Sequence, residues 1–194
     1  MADYLDRIGA GKVLVSKEPL SFDWTPPELV GRESELTELA SMFSGIENHS
    51  VSCRAVVTGN VGSGKTVITR RFCLDLSAKL EGKRKVVSAH VNCRNHLSTS
   101  QVLQQIALSL DSGHPERGFS SGEIIKGIKR NLGAHGNHLL LILDEVDVLL
   151  RRDSSDLIYK LLRIDEGQED RGSISLILVS QDATLFTLFE KAIK

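Results

Sequence analysis

The stretch Ala55-Val-Val-Thr-Gly59-Asn-Val-Gly-Ser-Gly64-Lys65-Thr66 decides the fold class. From Gly59 onward it fits the pattern G-x-x-x-x-G-K-[ST] at every fixed position, with an apolar run before it and a helix-forming run after it. Its three glycines let successive backbone N–H groups turn toward one point, and the N-terminus of the following helix adds positive potential. The stretch therefore predicts a strand, a phosphate-binding loop and a helix, in that order.

The ligand predicted for this loop is a nucleoside triphosphate with Mg²⁺. Lys65 is long enough to reach the β- and γ-phosphates, and the hydroxyl of Thr66 can bind Mg²⁺. We expect the nucleotide to be held by Gly59, Asn60, Val61, Gly62, Ser63, Gly64, Lys65, Thr66 and Val67.

The composition is that of a globular domain and does not indicate a particular partner. The 194 residues suit one domain, or one domain with a small appendage, and a hydrophobic content of 41% is enough for a packed core. The 24 basic and 25 acidic residues give no bulk attraction to nucleic acid or membrane, so any DNA contact must come from a local patch. The longest apolar run, 139–143, is too short to span a membrane, and the first residues lack a signal sequence, which predicts a cytoplasmic protein.

The cysteines Cys53, Cys73 and Cys93 are odd in number and form no C-x-x-C pair. This favours reduced, buried thiols over a disulfide framework. Cys93 and His96 can supply half of a zinc site, but no second pair stands at a finger-like spacing, so zinc is not expected. The basic run 83–85 predicts a solvated turn.

Residues 1–30 predict an extended arm, because the stretch 21–28 has two prolines and few periodic apolar positions. In residues 31–194 strands alternate with helices, which predicts an α/β domain with a mainly parallel sheet. Two helices begin with a capping-box spacing, at Ser98 and at Ser120. The remaining predicted helices cover 34–46, 65–80, 154–163 and 183–194, and the predicted strands cover 54–58, 85–91, 138–144 and 173–180.

The apolar strand Leu140-Leu-Ile-Leu-Asp144 is followed by Glu145 and, two residues later, by Asp147. Open α/β sheets bind ligands at the carboxyl ends of their strands. We expect Asp144 to hold Mg²⁺ through water, opposite Thr66, and Glu145 to act as the base that polarises the attacking water. The alternative is an acidic helix N-terminus without a catalytic role. Asp147 is expected to be a helix cap or a supporting group.

The acidic pair indicates the class of phosphate-loop enzymes with a catalytic glutamate. In that class the strand after the pair lies between it and the phosphate-loop strand, so the strand 173–180 should end beside the γ-phosphate. Gln181 would then hydrogen-bond the attacking water or the phosphate; the alternative is an ordinary amide at a strand end.

With these elements placed, nearly the whole chain resembles the AAA+ ATPase domain of the origin recognition complex and its archaeal replication-initiator relatives. The segment 26–36 is similar to the family's segment that packs on adenine, with Val30, Gly31 and Arg32 at the matching positions. Val91-Asn-Cys-Arg94-Asn, Pro115-Glu-Arg117-Gly118 and Tyr159-Lys-Leu-Leu-Arg163 also resemble family signatures.

The resemblance implies a three-layer fold in which a helical insertion, here about 94–131, touches the DNA backbone. Arg94, Lys126, Lys129 and Arg130 are the candidates for that contact, and a solvated helix face is the alternative for them. Two features depart from the family pattern. Gln181 stands where the family usually has Asn, and the sequence stops at Lys194, before the family's fifth strand, arginine finger, helical lid and winged-helix domain.

The function implied is binding and slow hydrolysis of ATP, with ATP and its product ADP acting as a switch in a DNA replication initiator of archaeal type. The implied partners are origin DNA, mainly through regions outside this sequence, and the replicative helicase or other initiator subunits; no membrane is implied. Such a protein is cytoplasmic and nucleoid-associated. Two alternatives are a signalling or transposition-type AAA+ ATPase acting on a protein without touching DNA, and a nucleotide-stabilised interaction module with negligible catalysis.

Overall fold

The computed structural model describes residues 16, 18–21, 24–96, 98–115, 118–152, 156–164 and 174–185. Its strands are β1 (Arg54–Thr58), β2 (Val86–Asn92), β3 (His138–Asp144) and β4 (Ile174–Ser180). Its α-helices are α1 (Glu33–Met42), α2 (Lys65–Lys79), α3 (Thr99–Leu110), α4 (Ser121–His135), α5 (Val146–Arg152) and α6 (Asp156–Leu162). Among the described residues before α1, Glu18–Leu20 form a 3₁₀ turn.

The strands form one parallel sheet in the order β1-β4-β3-β2. β4 therefore lies between the phosphate-loop strand β1 and the acidic strand β3, which confirms the predicted strand order. All seven residues of β3 and of β4 are buried, whereas β1 and β2 at the edges are buried only in part. Continuous apolar runs are typical of central strands that have a layer of helices on both faces.

Alternate residues of β3 enter two separate cores, because successive side chains of a strand point to opposite faces. Leu139, Leu141 and Leu143 join the core that α3, α4, α5 and α6 cover. Leu140 and Ile142 join the core formed with α1 and α2. These helix–sheet–helix layers confirm the predicted three-layer α/β class.

Three elements differ from the sequence-based prediction. Helix α5, which directly follows the acidic pair, was not predicted, because its seven residues are too few to show a helical period. Helix α1 ends at Met42 rather than at residue 46, and α4 extends to His135, beyond the predicted insertion. The helix predicted over 183–194 lies largely outside the described residues. The boundaries of the arm and of the insertion as units stay predictions.

The solvated turn predicted for 83–85 is wrong for Arg84, which is buried. Its guanidinium donates to the carbonyls of Ile46, Asn48, His49 and Val51 at 2.6–3.1 Å. These carbonyls belong to the turns after α1 that replace the last part of the predicted helix. The buried charge is thus satisfied by backbone acceptors, as a buried cation must be.

The three cysteines are buried and free. Burial raises the pKa of the Cys73 thiol to about 12, and burial together with the nearby acids raises that of Cys93 to about 12. Within the described ranges, no group of three or more His, Cys, Asp or Glu side chains is placed to hold a metal ion. In the same part of the chain, no helix has the length and apolar character needed to cross a bilayer.

Candidate functional site

The phosphate loop connects the end of β1 to the first turn of α2. Gly62 and Gly64 have φ angles of 77° and 86°, in the left-handed region that side chains disfavour. Gly64 also occupies the N-cap position of α2, where no side chain satisfies the free N–H groups of the helix. The loop therefore presents unpaired donors at a helix N-terminus, which is the environment that binds phosphate in proteins.

Two cations lie against this loop. Lys65 donates from Nζ to the carbonyls of Gly59 and Asn60, each at 2.8 Å. Arg32, just before α1, donates from Nη2 to the carbonyl of Ser63 at 2.9 Å. The structure thus places Arg32 against the loop, where its other terminal nitrogen, Nη1, pairs with Glu35 at 2.7 Å, and its predicted role at the adenine stays a prediction.

The other two residues of the predicted adenine segment have no contact with the loop that the structure records. Val30 is 90% exposed. Gly31 adopts a φ of 71° and donates its N–H to the carboxylate of Glu33 at 3.3 Å. Their role in binding the base stays a prediction.

Thr66 and Asp144 meet across the site. The Thr66 hydroxyl donates to Asp144 Oδ2 at 2.6 Å, and the N–H of Glu145 donates to Oδ1 at 2.9 Å. Asp144 is only 3% exposed. Burial raises the pKa of this carboxyl, but hydrogen bonds from His90 and Thr66 and the Glu145 N–H outweigh that effect, and the pKa lies below its ordinary value. Asp144 is thus held as a carboxylate although it is buried.

Glu145 projects from a strained backbone at the end of β3. Its φ of 50° is positive, which is uncommon for a residue other than glycine. Asn92 donates to Glu145 Oε1 at 3.4 Å, and Arg94 Nη1 lies 3.1 Å from Oε2. Both partners come from the end of β2. The predicted base is thus restrained by a long hydrogen bond and by an ion pair with an arginine whose side chain is 66% exposed.

The end of β4 is fixed by α5. The hydroxyl of Ser180 donates to Asp147 Oδ1 at 3.0 Å, and the N–H of Gln181 approaches the same oxygen at 3.4 Å. Asp147 therefore supports the strand that carries Gln181, as expected for a supporting group. The side chain of Gln181 stays exposed and faces the same cavity as the acidic pair.

One cavity of about 660 Å³ gathers most of the predicted site residues. Its volume is in the range of small-molecule sites in proteins. It is lined by Val61, Gly62, Gly64, Lys65, Thr66 and Val67 from the loop and α2, and by Asp144, Glu145 and Gln181 from β3 and β4. Gly59 and Ser63 line an adjoining cavity of about 360 Å³ together with Arg32.

The donor set of this cavity fits Mg²⁺. The Thr66 hydroxyl and the Asp144 carboxylate offer only oxygen atoms, which magnesium prefers, and they are already in contact. An Mg²⁺ ion in proteins is usually held by one or two carboxylates plus the phosphates of a bound nucleotide. Residues of this type at the mouth of a phosphate loop are able to hold a metal–nucleotide complex.

Comparison with known proteins assigns the family. A model of the AAA domain matches residues 54–189, which is more than half of the chain. The chain belongs to the AAA domain family. This confirms the resemblance predicted from the phosphate loop and the acidic pair.

Relatives of this AAA domain include replication proteins. Over 97% of its length it is 34% identical to the ORC1-type DNA replication protein 2 of Sulfurisphaera tokodaii, of which it covers 46%. Among solved structures, the Aeropyrum pernix ORC2 protein in ADPNP–ADP complexes has a TM-score of 0.82 at 25% identity, over 92% of this chain and 48% of that one. The Aeropyrum pernix ORC1 protein in complex with DNA has a TM-score of 0.79 at 26% identity, over 93% and 46%. The AAA domain spans about half the length of these relatives.

The basic residues predicted to touch DNA lie in two places on the AAA domain. On α4, Lys126 and Arg130 are exposed and Lys129 is partly buried. The opposite face of this helix is buried in the core. Arg94 instead pairs with Glu145 at the edge of the cavity. The surface position of the α4 residues fits both a DNA contact and a solvated helix face, so their role stays a prediction.

Two residues of the AAA domain site were missed by sequence reasoning. His90 Nε2 lies 3.3 Å from Asp144 Oδ2, and Arg70 Nη2 lies 2.9 Å from His90 Nδ1. His90 stands in the middle of β2 and Arg70 in the second turn of α2, so neither lies next to a motif. A histidine two residues before the end of a strand, on the face shared with Asn92, was the available signal.

Proposed function

We propose that this AAA domain binds ATP and ADP with Mg²⁺ and hydrolyses ATP slowly, as the nucleotide switch of a DNA replication initiator. The observation that carries the proposal is the 2.6 Å hydrogen bond from Thr66 to Asp144. It joins a complete phosphate loop to a buried carboxylate, the two parts that a metal–nucleotide site requires.

Each side chain has a distinct task in this proposal. The N–H groups of the loop and the Lys65 ammonium hold the phosphates, and Thr66 and Asp144 hold Mg²⁺, Asp144 through water. Bound Mg²⁺ neutralises the charge that develops on the phosphate oxygens. Glu145 accepts the proton of the attacking water as general base. Gln181 orients that water or the γ-phosphate from the end of β4.

Slow hydrolysis is the part of the proposal that Gln181 supports. Its side chain is one methylene longer than the Asn that the resembled family usually has at this position, so its amide would hold the attacking water less well. The base itself stays available, because Glu145 Oε2 makes no hydrogen bond among the described residues and a carboxylate can accept several. The AAA domain would therefore bind nucleotide readily and turn it over seldom, which suits a switch.

The DNA part of the proposal comes from the relatives. They include ORC1-type DNA replication proteins, and the Aeropyrum pernix ORC1 protein has been solved in complex with DNA. We extend to this chain a contact with the backbone of origin DNA through the basic residues of α4, assisted by Arg94. Through that contact the protein would associate with the nucleoid. The replicative helicase or other initiator subunits would be its protein partners.

The test is binding of the chain to A·T-rich duplex DNA, measured by fluorescence anisotropy with ATP, with ADP and without nucleotide, across a salt series. We expect an affinity that depends on the nucleotide and falls steeply with salt, because each neutralised phosphate releases counterions. Reversal of charge at Lys126, Lys129 and Arg130 should reduce the salt slope. The matched control reverses charge at Lys79, Lys83 and Lys85, three exposed lysines outside the insertion.

Two outcomes of the same titration would contradict the proposal. Equal slopes for the α4 variant and the control variant would remove the assigned DNA surface. Absence of binding at low salt in every nucleotide state, with nucleotide itself still bound, would favour an AAA ATPase that acts on a protein partner without touching DNA.

A further inference from the structure

A chain of hydrogen bonds runs behind the acidic pair, from α2 through β2 to β3. Arg70 Nη2 lies 2.9 Å from His90 Nδ1, and His90 Nε2 lies 3.3 Å from Asp144 Oδ2. A guanidinium has donors only, so Nδ1 must be the acceptor of the first bond. The ring proton is therefore on Nε2, where it is directed at the carboxylate. Arg70 selects the histidine tautomer that donates to Asp144.

Asp144 has partners on both of its oxygens. Oδ2 accepts from Thr66 and faces His90, and Oδ1 accepts from the N–H of Glu145. The Thr66 hydroxyl belongs to the phosphate loop and the Glu145 N–H to the neighbouring backbone. His90 is thus the side chain that approaches Asp144 from the strand beside it.

We propose that Arg70 and His90 are positioning residues that fix the direction of the Asp144 carboxylate and thereby set the Mg²⁺ dependence of nucleotide binding. This inference rests on the proposed function. Partners that orient a metal-ligating side chain typically change metal affinity by about 10- to 100-fold when they are removed. Because the side chain of His90 is only 20% exposed, its truncation also removes packing, and the comparison of His90→Gln with His90→Asn controls for that loss.

The arrangement of β2 supports a positioning role. His90 and Asn92 are two residues apart, and such residues lie on the same face of a strand. His90 reaches Asp144 and Asn92 reaches Glu145, so one strand orients both acids of the pair. In the parallel register Asn92 lies opposite Asp144 and His90 opposite Ile142, which places both side chains at the carboxyl edge of β3.

The experiment is a titration of the full 194-residue chain with a fluorescent ADP analogue, in EDTA and over a series of Mg²⁺ concentrations. We expect His90→Ala to leave the Kd in EDTA unchanged and to require about 10-fold more Mg²⁺ for half-maximal tightening. His90→Gln keeps an amide donor near the position of Nε2 and should restore the wild-type dependence. His90→Asn places its amide near Nδ1, short of Asp144, and should behave like His90→Ala.

Two further variants complete the series. Arg70→Met removes the donor that selects the tautomer and should shift the Mg²⁺ dependence in the same direction as His90→Ala, by a smaller factor. Ser88→Ala is the matched control, because Ser88 lies two residues before His90 on β2 and bonds to Ser77, away from the acids. It should leave the Mg²⁺ dependence unchanged.

The outcomes separate the inference from the function on which it rests. A wild-type chain that binds no nucleotide would overturn the proposed function and this inference with it. The inference alone would be overturned if the affinity of the wild-type chain responds to Mg²⁺ and His90→Ala shows the same response. It would also be overturned if His90→Ala loses as much affinity in EDTA as in Mg²⁺. If His90→Ala does not fold, the comparison of His90→Gln with His90→Asn decides, and equal responses of these two variants would overturn the inference.

Discussion

Thr66 and Asp144 are joined by a 2.6 Å hydrogen bond although 78 positions separate them in the sequence. Thr66 lies in the first turn of α2, and Asp144 is the last residue of β3. The bond forms because β1, which leads through the loop into α2, and β3 both end at the carboxyl edge of one parallel sheet, where β4 sets the spacing between them. The phosphate loop and the acidic pair are therefore one site. Substitutions at its residues should affect nucleotide binding, Mg²⁺ dependence and turnover separately.

Replacement of Glu145 should abolish turnover and keep binding. In Glu145→Gln we expect ATP to bind with wild-type affinity and phosphate release to fall by at least about 100-fold, the usual contribution of a general base. The measurement is phosphate release under saturating ATP, beside a binding titration. Glu81→Gln, at an exposed site after α2, is the control. Equal turnover in Glu145→Gln and wild type would contradict the assignment of the base.

Lys65 and Thr66 should fail in different ways. Lys65→Ala removes the charge that we propose faces the phosphates and should weaken nucleotide binding in EDTA and in Mg²⁺ alike. Thr66→Ala removes the proposed metal ligand and should weaken binding only when Mg²⁺ is present. A calorimetric titration with ADP under both conditions separates the two, with Thr37→Ala on the exposed face of α1 as control. A loss in EDTA for Thr66→Ala would argue against its role at the metal.

The start of α4 offers a test of stability outside the site. The hydroxyl of Ser120 accepts from the N–H of Glu123, and the Glu123 carboxylate accepts from the Ser120 N–H, which forms a complete capping box. Ser120→Ala should lower the free energy of unfolding by about 1 kcal/mol, the typical cost of losing an N-cap. Ser109→Ala, at an exposed serine inside α3, should change it by less than about 0.5 kcal/mol. Chemical denaturation of both variants measures the difference.

The same capping box should be sensitive to acid. Hydrogen bonds from the Ser120 N–H and hydroxyl lower the pKa of Glu123, since they favour the ionised form. A carboxyl whose pKa is lower in the folded state stabilises the fold above its unfolded pKa, about 4.3 for glutamate, and loses that contribution as the pH falls through the folded value.

The destabilisation caused by Glu123→Ala should therefore be largest near neutral pH and should shrink as the pH is lowered toward 3. Denaturation midpoints measured from pH 7 to pH 3 give this trend. In a Ser120→Ala background the pH dependence of the Glu123→Ala effect should become smaller but persist, because the hydroxyl bond is lost while the backbone N–H at position 120 can still donate to the carboxylate. A pH-independent effect in the wild-type background would contradict the prediction.

The sequence was sufficient for the parts of the site that local patterns define. The phosphate loop, the acidic pair and the end of β4 were each predicted from a short run of consecutive residues. The strand order was predicted from the acidic pair, which indicates the class of phosphate-loop enzymes with that order. The caps at Ser98 and Ser120 were likewise predicted, because a capping box requires only residues three apart; both serines accept the expected N–H bond in the structure.

The parts that were missed depend on contacts between distant segments. Arg84 is read as a surface residue from its neighbours, and its burial is explained only by carbonyls 33 to 38 positions away. His90 and Arg94 acquire their partners because β2 pairs with β3 and ends beside the acidic pair. Helix α5 has only seven residues, which is too few to show a helical period in the sequence, and it begins directly after Glu145, whose φ is positive.

The position of β4 between β1 and β3 also has a consequence for synthesis of the chain. β1 is made early, but its partner among the described strands is β4, and the N–H of Cys53 bonds to Ser175 across 122 positions. Non-local pairing of this kind slows folding, because the entropy of closing the loop must be spent before the contacts form. On the ribosome, the phosphate-loop strand keeps its hydrogen-bonding edge unpaired by β4 until β4 has emerged, so the nascent chain passes through an interval in which chaperones and aggregation compete for that edge.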